Sequence, residues 1–356
     1  MADTGQERKR YSPLVLAETE NLPREQWLEY RRQGIGGSDV AAIVGLSPFR
    51  TARDVYYDKL GIAAVEDSED NWVAMEMGNL LEDLVAEIFR RRTGFQVSRV
   101  KKMFRHPEHP FMLADVDGFV TLPDGTRAIL ELKTTNYNAK EQWWEDGREI
   151  VPPYYETQGR HYMAVTDIDR VFFCCLYGNT QDESIIREIR RDAAYEEEMI
   201  FLEGQFWENH VLKQVPPPYL EDGKLILKSA GQHCGPADKE ASAVVLEGQM
   251  AENLMRYLQL QEEKSRPEKD VKRLDKEIQR LRAILAAEMG SSCTAVCRRD
   301  GMCYTVAYTP VRKPVVDKDS LARLKLLYPD IYEQFVTVSE SRRFSVKASG
   351  GAEEAA

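Results

Sequence analysis

The sequence predicts an α/β protein: a mixed β-sheet flanked by helices, followed by a smaller region built from a helical hairpin and a β-hairpin. Three observations carry that expectation. The apolar run Arg170–Tyr177 follows a helix-length segment, Tyr154–Val165, and this helix-then-strand order is what a crossover onto a buried central strand requires. Two strand-like stretches, Phe111–Val120 and Ala128–Thr134, flank a Leu122-Pro123-Asp124-Gly125 turn. After the proline run Pro216–Pro218, apolar residues fall three and four apart, as in a helical hairpin.

Taken in order, residues 1–20 read as a mobile polar arm, and Arg24–Gln33 as a helix stopped by Gly34. The glycine-rich segment Gly34–Gly45 then offers a loop that a ligand can approach, with Ser38 or Asp39 capping a short apolar helix. Arg31 or Arg32, just upstream, is placed to reach a phosphate held there. A helix over Ala52–Leu60 and a polar connector, Ala63–Asp70, precede a long helix, Met75–Thr93, whose core stripe is Leu81, Leu84, Val85, Ile88 and Phe89. Glu82 borders that stripe and is the acid best placed to point inward, whereas Asp83 and Glu87 point away.

Phe95–Phe104 reads as a strand, Asn136–Glu149 as a helix or lid, Ile185–Arg191 as a strand, and Ala193–Lys213 as a long acidic helix. The proline run marks the expected boundary between a domain at residues 21–215 and an extension at residues 216–348. The extension holds helices over Ala237–Glu263 and Glu268–Met289, with a seam of Val271, Leu274, Ile278, Leu281 and Leu285. A β-hairpin around Arg299-Asp300-Gly301, a helix over Ser320–Leu327 and a strand near Phe335–Val346 complete it, and the tail at residues 349–356 is expected to be disordered.

With 43% apolar residues among 356, the chain can bury a sizeable core. It has no apolar run of ~18 residues and no signal-peptide core, so a cytoplasmic protein is expected. Its six cysteines form no Cys-x-x-Cys pair, which argues against structural zinc or an iron–sulfur cluster. A net charge of −11 argues against a generally basic nucleic-acid coat, although Arg90–Arg92, Arg99 and Lys101-Lys102 are local basic clusters.

The chemistry concentrates on the central hairpin. Alternation puts Asp115, Asp117 and Phe119 on one face of its first strand, and Ile129, Glu131 and Lys133 on one face of its second. A three-residue loop sets Asp117 opposite Glu131, and two carboxylates that close repel unless a cation lies between them. Hard oxygen ligands suit Mg²⁺ or Mn²⁺. A polar hairpin facing water is the plain alternative. The acids, with Glu131-Leu132-Lys133 about a dozen residues downstream, resemble the PD-(D/E)xK nuclease superfamily, which implies a restriction-endonuclease-like core and metal-assisted phosphodiester hydrolysis.

The ordered motifs Gly36–Ala42, Gly78–Glu82, Ala114–Gly118, Glu131–Lys133 and Tyr155–Gln158 together resemble the YqaJ-like viral recombinase family, which groups with lambda-type phage exonucleases. The resemblance covers about Arg31 to Tyr177. It implies that Asp117, Glu131 and the Leu132 backbone carbonyl hold Mg²⁺, with Mn²⁺ as an alternative and Glu82 completing the acidic set. It implies that Lys133 positions or activates water, that Gln158 holds substrate or that water, and that Ser38 with Arg32 binds a DNA phosphate. The family pattern does not require Asp115. The expected activity is a 5′-to-3′ exonuclease on double-stranded DNA ends, working with a single-strand annealing protein and as a possible homo-oligomer. A structure-selective or nicking endonuclease, or a non-catalytic DNA-binding scaffold, are the rival expectations.

Overall fold

The computed structural model describes residues 10–62, 72–234, 248, 252–265, 271–276, 294–299, 302–307 and 318–336. The chain divides into two compact units, Met1–Pro236 and Ala237–Ala356. The boundary expected at the proline run therefore lies about one helix later. The run itself and the residues after it are tied into the first unit: Arg53 donates twice to the Pro217 carbonyl, at 2.9 and 2.7 Å, and Glu221 accepts from Ala52 N at 2.8 Å.

The first unit opens with β1 (Leu14–Glu18), α1 (Arg24–Arg32), β2 (Ile35–Gly36), α2 (Gly37–Ile43), α3 (Ala52–Lys59) and α4 (Trp72–Thr93). The expected arm is docked from residue 10 onward, because β1 pairs antiparallel with β4 (Lys102–Arg105) and Tyr11 N donates to Asp167. Asp39 is the third residue of α2, where its carboxylate accepts from the Gly36 amide at 3.0 Å, rather than the N-terminal cap itself.

Both long strands expected in the middle of the chain are broken in two. Phe95–Phe104 becomes β3 (Gln96–Arg99) and β4, and Phe111–Val120 becomes β5 (Met112–Asp115) and β6 (Gly118–Thr121). The halves join different sheets: β4 and β5 lie with β1 and β2 in the order β1-β4-β5-β2, while β3 and β6 form one side of a second, five-stranded sheet. Paired segments thus cross from sheet to sheet in step, as strands do at the corner of two packed sheets. Asp115 ends β5 and Asp117 directly precedes β6, so they fall on either side of the crossing, yet both face the same cleft while Val116 between them is buried in the core.

The second sheet holds the centre of the unit. β7 (Arg127–Thr134) pairs antiparallel with β6 and parallel with β10 (Arg170–Leu176), which pairs antiparallel with β11 (Ser184–Arg190). Between them come a 3₁₀ segment (Tyr137–Trp143), the two-residue strands β8 (Trp144–Glu145) and β9 (Arg148–Glu149), and α5 (Pro153–Thr166). α6 (Ala193–Phe206) runs on through a π-turn at Trp207–Val211, and α7 (Gly223–Cys234) ends the unit. On β7, Leu130 and Leu132 pack with Val85, Ile88 and Phe89 of α4, whereas Ile129 packs with Tyr162 and Met163 of α5. By alternation Glu131 and Lys133 lie on the α5 side.

α5 approaches β10 closely because Gly159 has no side chain. A Cβ there would stand 2.6 Å from Phe173 Cζ and 3.0 Å from Val171 Cγ1, and Phe173 is fully buried. We expect Gly159→Ala to destabilise the first unit by about 1–3 kcal/mol in urea unfolding, overpacking outweighing alanine's better helix propensity. An unchanged midpoint would show that Phe173 swings aside.

In the second unit, residues 252–265 and 271–276 are helical and carry Val271 and Leu274 of the expected seam, whose other positions lie outside the described residues. The expected hairpin is present as β12 (Thr294–Arg299) and β13 (Met302–Ala307), closed at Arg299↔Met302. Lys318–Leu327 is a helix, and so is Pro329–Phe335, where the final strand was expected to begin. The tail at residues 349–356 lies outside the described residues. Among the described residues no helix is long and apolar enough to cross a membrane.

Candidate active site

Leu122 N donates to Thr126 O at 2.9 Å, so the hairpin closes on the three-residue loop Pro123-Asp124-Gly125, and Gly125 takes the left-handed conformation at φ +82°. The register then runs Gly118↔Leu130, which carries Asp117 opposite Glu131 one step before the ladder begins. Asp117 Oδ2 accepts from Leu132 N at 2.8 Å. That bond fixes the carboxylate at the floor of a cleft of about 630 Å³.

Glu131 is nearly fully buried. Its Oε1 accepts from Lys133 Nζ at 2.7 Å and from Gln158 Nε2 at 2.5 Å, while Gln158 Oε1 accepts from Lys133 Nζ at 3.0 Å. The three side chains form a closed triangle. Glu131 Oε2, buried as well, has no hydrogen-bond partner among the described residues. A buried carboxylate oxygen left bare costs free energy unless something positive meets it. Burial and then the charge of Glu131 push Asp117 well above the usual carboxylate range, and burial raises Glu131. Burial alone would lower Lys133, but Glu131 and Asp117 outweigh it and hold the ammonium charged.

These features fit a divalent cation. Mg²⁺ is commonly held by only one or two carboxylates and keeps several waters, so Asp117, Glu131 and the Leu132 carbonyl are a sufficient protein contribution. The expected third acid is engaged elsewhere: Glu82 lines the cleft but forms an ion pair with Arg99, which also approaches Asp83 at 3.5 Å. Among the described residues no three acidic, histidine or cysteine side chains converge as ligands. Asp115 also lines the cleft and accepts from Trp27 Nε1 at 2.8 Å, and burial raises its pKa.

Ser38 opens onto the same cleft. Its partner is Arg31 rather than Arg32, since Arg31 Nη2 donates to Ser38 Oγ at 3.1 Å and to Asp39 Oδ1 at 3.0 Å. Arg32 does not line the cleft, because it lies on the side of α1 that approaches Gly61. Asp39 is fully buried and meets Lys59 Nζ at 2.7 Å and Arg50 Nη1 at 3.3 Å, so it anchors three cations. Sequence reasoning missed Lys59 and Trp27. Nothing in their spacing marks Lys59, but Trp27 and Arg31 are four apart on α1, a signal for one shared face.

The profile of the YqaJ-like viral recombinase domain matches residues 26–169. The YqaJ protein of Bacillus subtilis strain 168 is 33% identical over 337 residues, covering 94% of this chain and 97% of that protein. This chain belongs to the YqaJ-like viral recombinase family. The match to the YqaJ relative extends through the second unit, whereas the domain profile ends just before β10. Among solved structures, the alkaline exonuclease LHK-Exo from Laribacter hongkongensis is 21% identical with a TM-score of 0.44, covering 58% of this chain and 98% of that chain. A phage-related exonuclease from Haemophilus somnus 129PT is 14% identical with a TM-score of 0.39, covering 51% and 96%.

Proposed function

We propose that this member of the viral recombinase family is a Mg²⁺-dependent DNA nuclease that hydrolyses phosphodiester bonds from 5′ ends of duplex DNA. The observation that carries the reading is the bare Glu131 Oε2 beside Asp117, with a charged Lys133 and Gln158 fixed against the same carboxylate. Asp117, Glu131 and the Leu132 carbonyl are the groups that would hold the cation, which when bound polarises the scissile phosphate and makes water more acidic. Lys133, held against Glu131 and Gln158, is placed to orient water and to stabilise charge developing on the phosphoryl oxygens. Gln158 holds the Lys133 ammonium and the Glu131 carboxylate in one geometry and has its amide N–H within 3.2 Å of Tyr162 Oη. Ser38 and Arg31, in the same cleft, receive a second phosphate of the same strand, the terminal one in a 5′ exonuclease. The long single strand left behind suits an annealing partner.

Digestion of a linear duplex carrying a 5′-phosphate or a 5′-hydroxyl, with Mg²⁺, with EDTA, and with Lys133→Ala, tests the reading. Metal-dependent loss from the phosphorylated 5′ end that vanishes in the variant supports it. Comparable cleavage of closed circles would replace it with an endonuclease. Ser38→Ala should cut the preference for a 5′-phosphate about tenfold, the worth of one hydrogen bond to a charged group. Arg32→Ala should leave that preference intact, and an equal loss in both variants would overturn the assignment of Arg31 and Ser38.

A further inference from the structure

An aromatic series leads out of the cleft. Tyr155 lines the cleft, with Lys133 Nζ 4.8 Å from its ring centroid. The Tyr154 ring lies 4.4 Å from Tyr155, centroid to centroid, and the Phe49 ring lies 5.3 Å from Tyr154, edge-on at 86°. Phe49 ends the series and is 61% exposed. Its loop is held in place, because Ser47 Oγ accepts from both Phe49 N and Arg50 N at 3.2 Å. Tyr154 is fixed too, donating its hydroxyl to Gln142 Oε1 at 2.6 Å. Scattered exposed aromatics are ordinary on a protein surface. Here the exposed ring is the outer end of a fixed series whose inner end touches the lysine of the site.

We propose that the exposed Phe49 ring, braced edge-on by Tyr154, is a stacking platform for an unpaired nucleobase of the strand whose phosphate lies at Lys133. The proposal rests on the nuclease reading and names what the site must do with its substrate. Every base presents a π-face, so stacking on fixed aromatic rings is tolerant of sequence, and an enzyme that degrades DNA end-on must accept every base in turn. A base inside the duplex has both faces covered by its neighbours, so the platform selects nucleotides already displaced from the helix. Lys133 brings positive charge to the inner end of the series.

The test uses the full chain and a duplex with a short unpaired 5′ tail, either base-bearing or built from abasic nucleotides. Anisotropy in EDTA measures binding apart from cleavage. We expect the wild type to bind the base-bearing tail about tenfold more tightly than the abasic one. Phe49→Ala should bring that ratio close to one, and Phe49→Trp should restore it. Phe201, equally exposed on α6, supplies the control: Phe201→Ala should keep the tenfold ratio. A wild-type ratio near one, or a full ratio in Phe49→Ala, overturns the platform. Cleavage of the duplex in Mg²⁺ is scored separately. Cleavage with a ratio near one removes the platform alone, whereas a tenfold ratio without cleavage in Mg²⁺ or Mn²⁺ keeps the platform and removes the nuclease.

Discussion

Asp117→Asn should cut DNA hydrolysis roughly a thousandfold and yet stabilise the metal-free protein. The two effects have one cause. Asp117 is held beside Glu131 in a partly desolvated site, and its carboxyl is pushed well up by burial and by that neighbouring charge. A group whose folded pKa is raised contributes stability that is present below its unfolded value, near pH 4, and is lost as pH rises through the folded value. At pH 7.5 Asp117 is therefore a liability without a cation, whether it ionises or keeps its proton. Asparagine removes the charge while its carbonyl oxygen can still accept from Leu132 N. Thermal unfolding in EDTA at pH 7.5 should show a higher Tm for the variant, and the difference should close as the buffer is taken down toward pH 4. Added Mg²⁺ should raise the wild-type Tm by mass action and leave the variant unmoved. Hydrolysis should fall by roughly 10³-fold, since several kcal/mol of charge stabilisation depend on this ligand. A variant that is less stable than wild type in EDTA would mean that Asp117 serves as a structural acceptor and that the cation reading of the pair is wrong.

The central hairpin was legible because its information is local. A three-residue loop and a period of two suffice to place Asp117 opposite Glu131 and Lys133 one pleat beyond, and the structure has that register. Tyr155, Gln158 and Tyr162 were legible for the same reason, since helical spacing alone sets them on one face of α5, and all three line the cleft. What the sequence could not show is where a strand changes sheets. Val100 and Val116 are ordinary strand residues, yet the chain crosses between sheets near them because β4 and β5 pair with β1 and β2, a long-range choice. Asp115 and Asp117 still face one cleft across that crossing. Glu82 points inward as its helical phase implies, but Arg99, on the crossing strand pair, takes its carboxylate. Arg31 and Arg32 are adjacent, so only the packing of α1 decides which faces Ser38. The proline run signalled a boundary by composition, but α7 beyond it is tied back through Ser229, which donates to Asp54 Oδ1 at 2.5 Å.

Asp39→Ala should produce the largest loss of stability in the first unit, about 3–5 kcal/mol. Asp39 has no exposed surface, and Lys59 beside it is almost as deeply buried. Burial by itself would raise the Asp39 pKa, but Lys59, Arg31 and Arg50 outweigh it and hold the carboxyl far below its usual range. A depressed folded pKa contributes stability above the unfolded value and loses it as pH falls toward the folded value, so Asp39 supports the fold throughout neutral pH. Truncation to alanine leaves the Lys59 ammonium in the interior with only the Arg31 carbonyl at 3.0 Å and a more distant Asp58 at 3.9 Å. A buried ion pair is weak evidence for net stability, whereas removing one partner is costly, and a double variant separates the two cases. Asp39→Leu combined with Lys59→Met should recover most of the loss in urea unfolding, because neither charge then remains in the core. The recovered protein should still bind a 5′-phosphorylated end poorly, since Arg31 has lost the carboxylate that aims it at Ser38. If the double variant is as unstable as Asp39→Ala, the carboxylate matters for its capping bond to the Gly36 amide, 3.0 Å away, and the ionic account of this anchor fails.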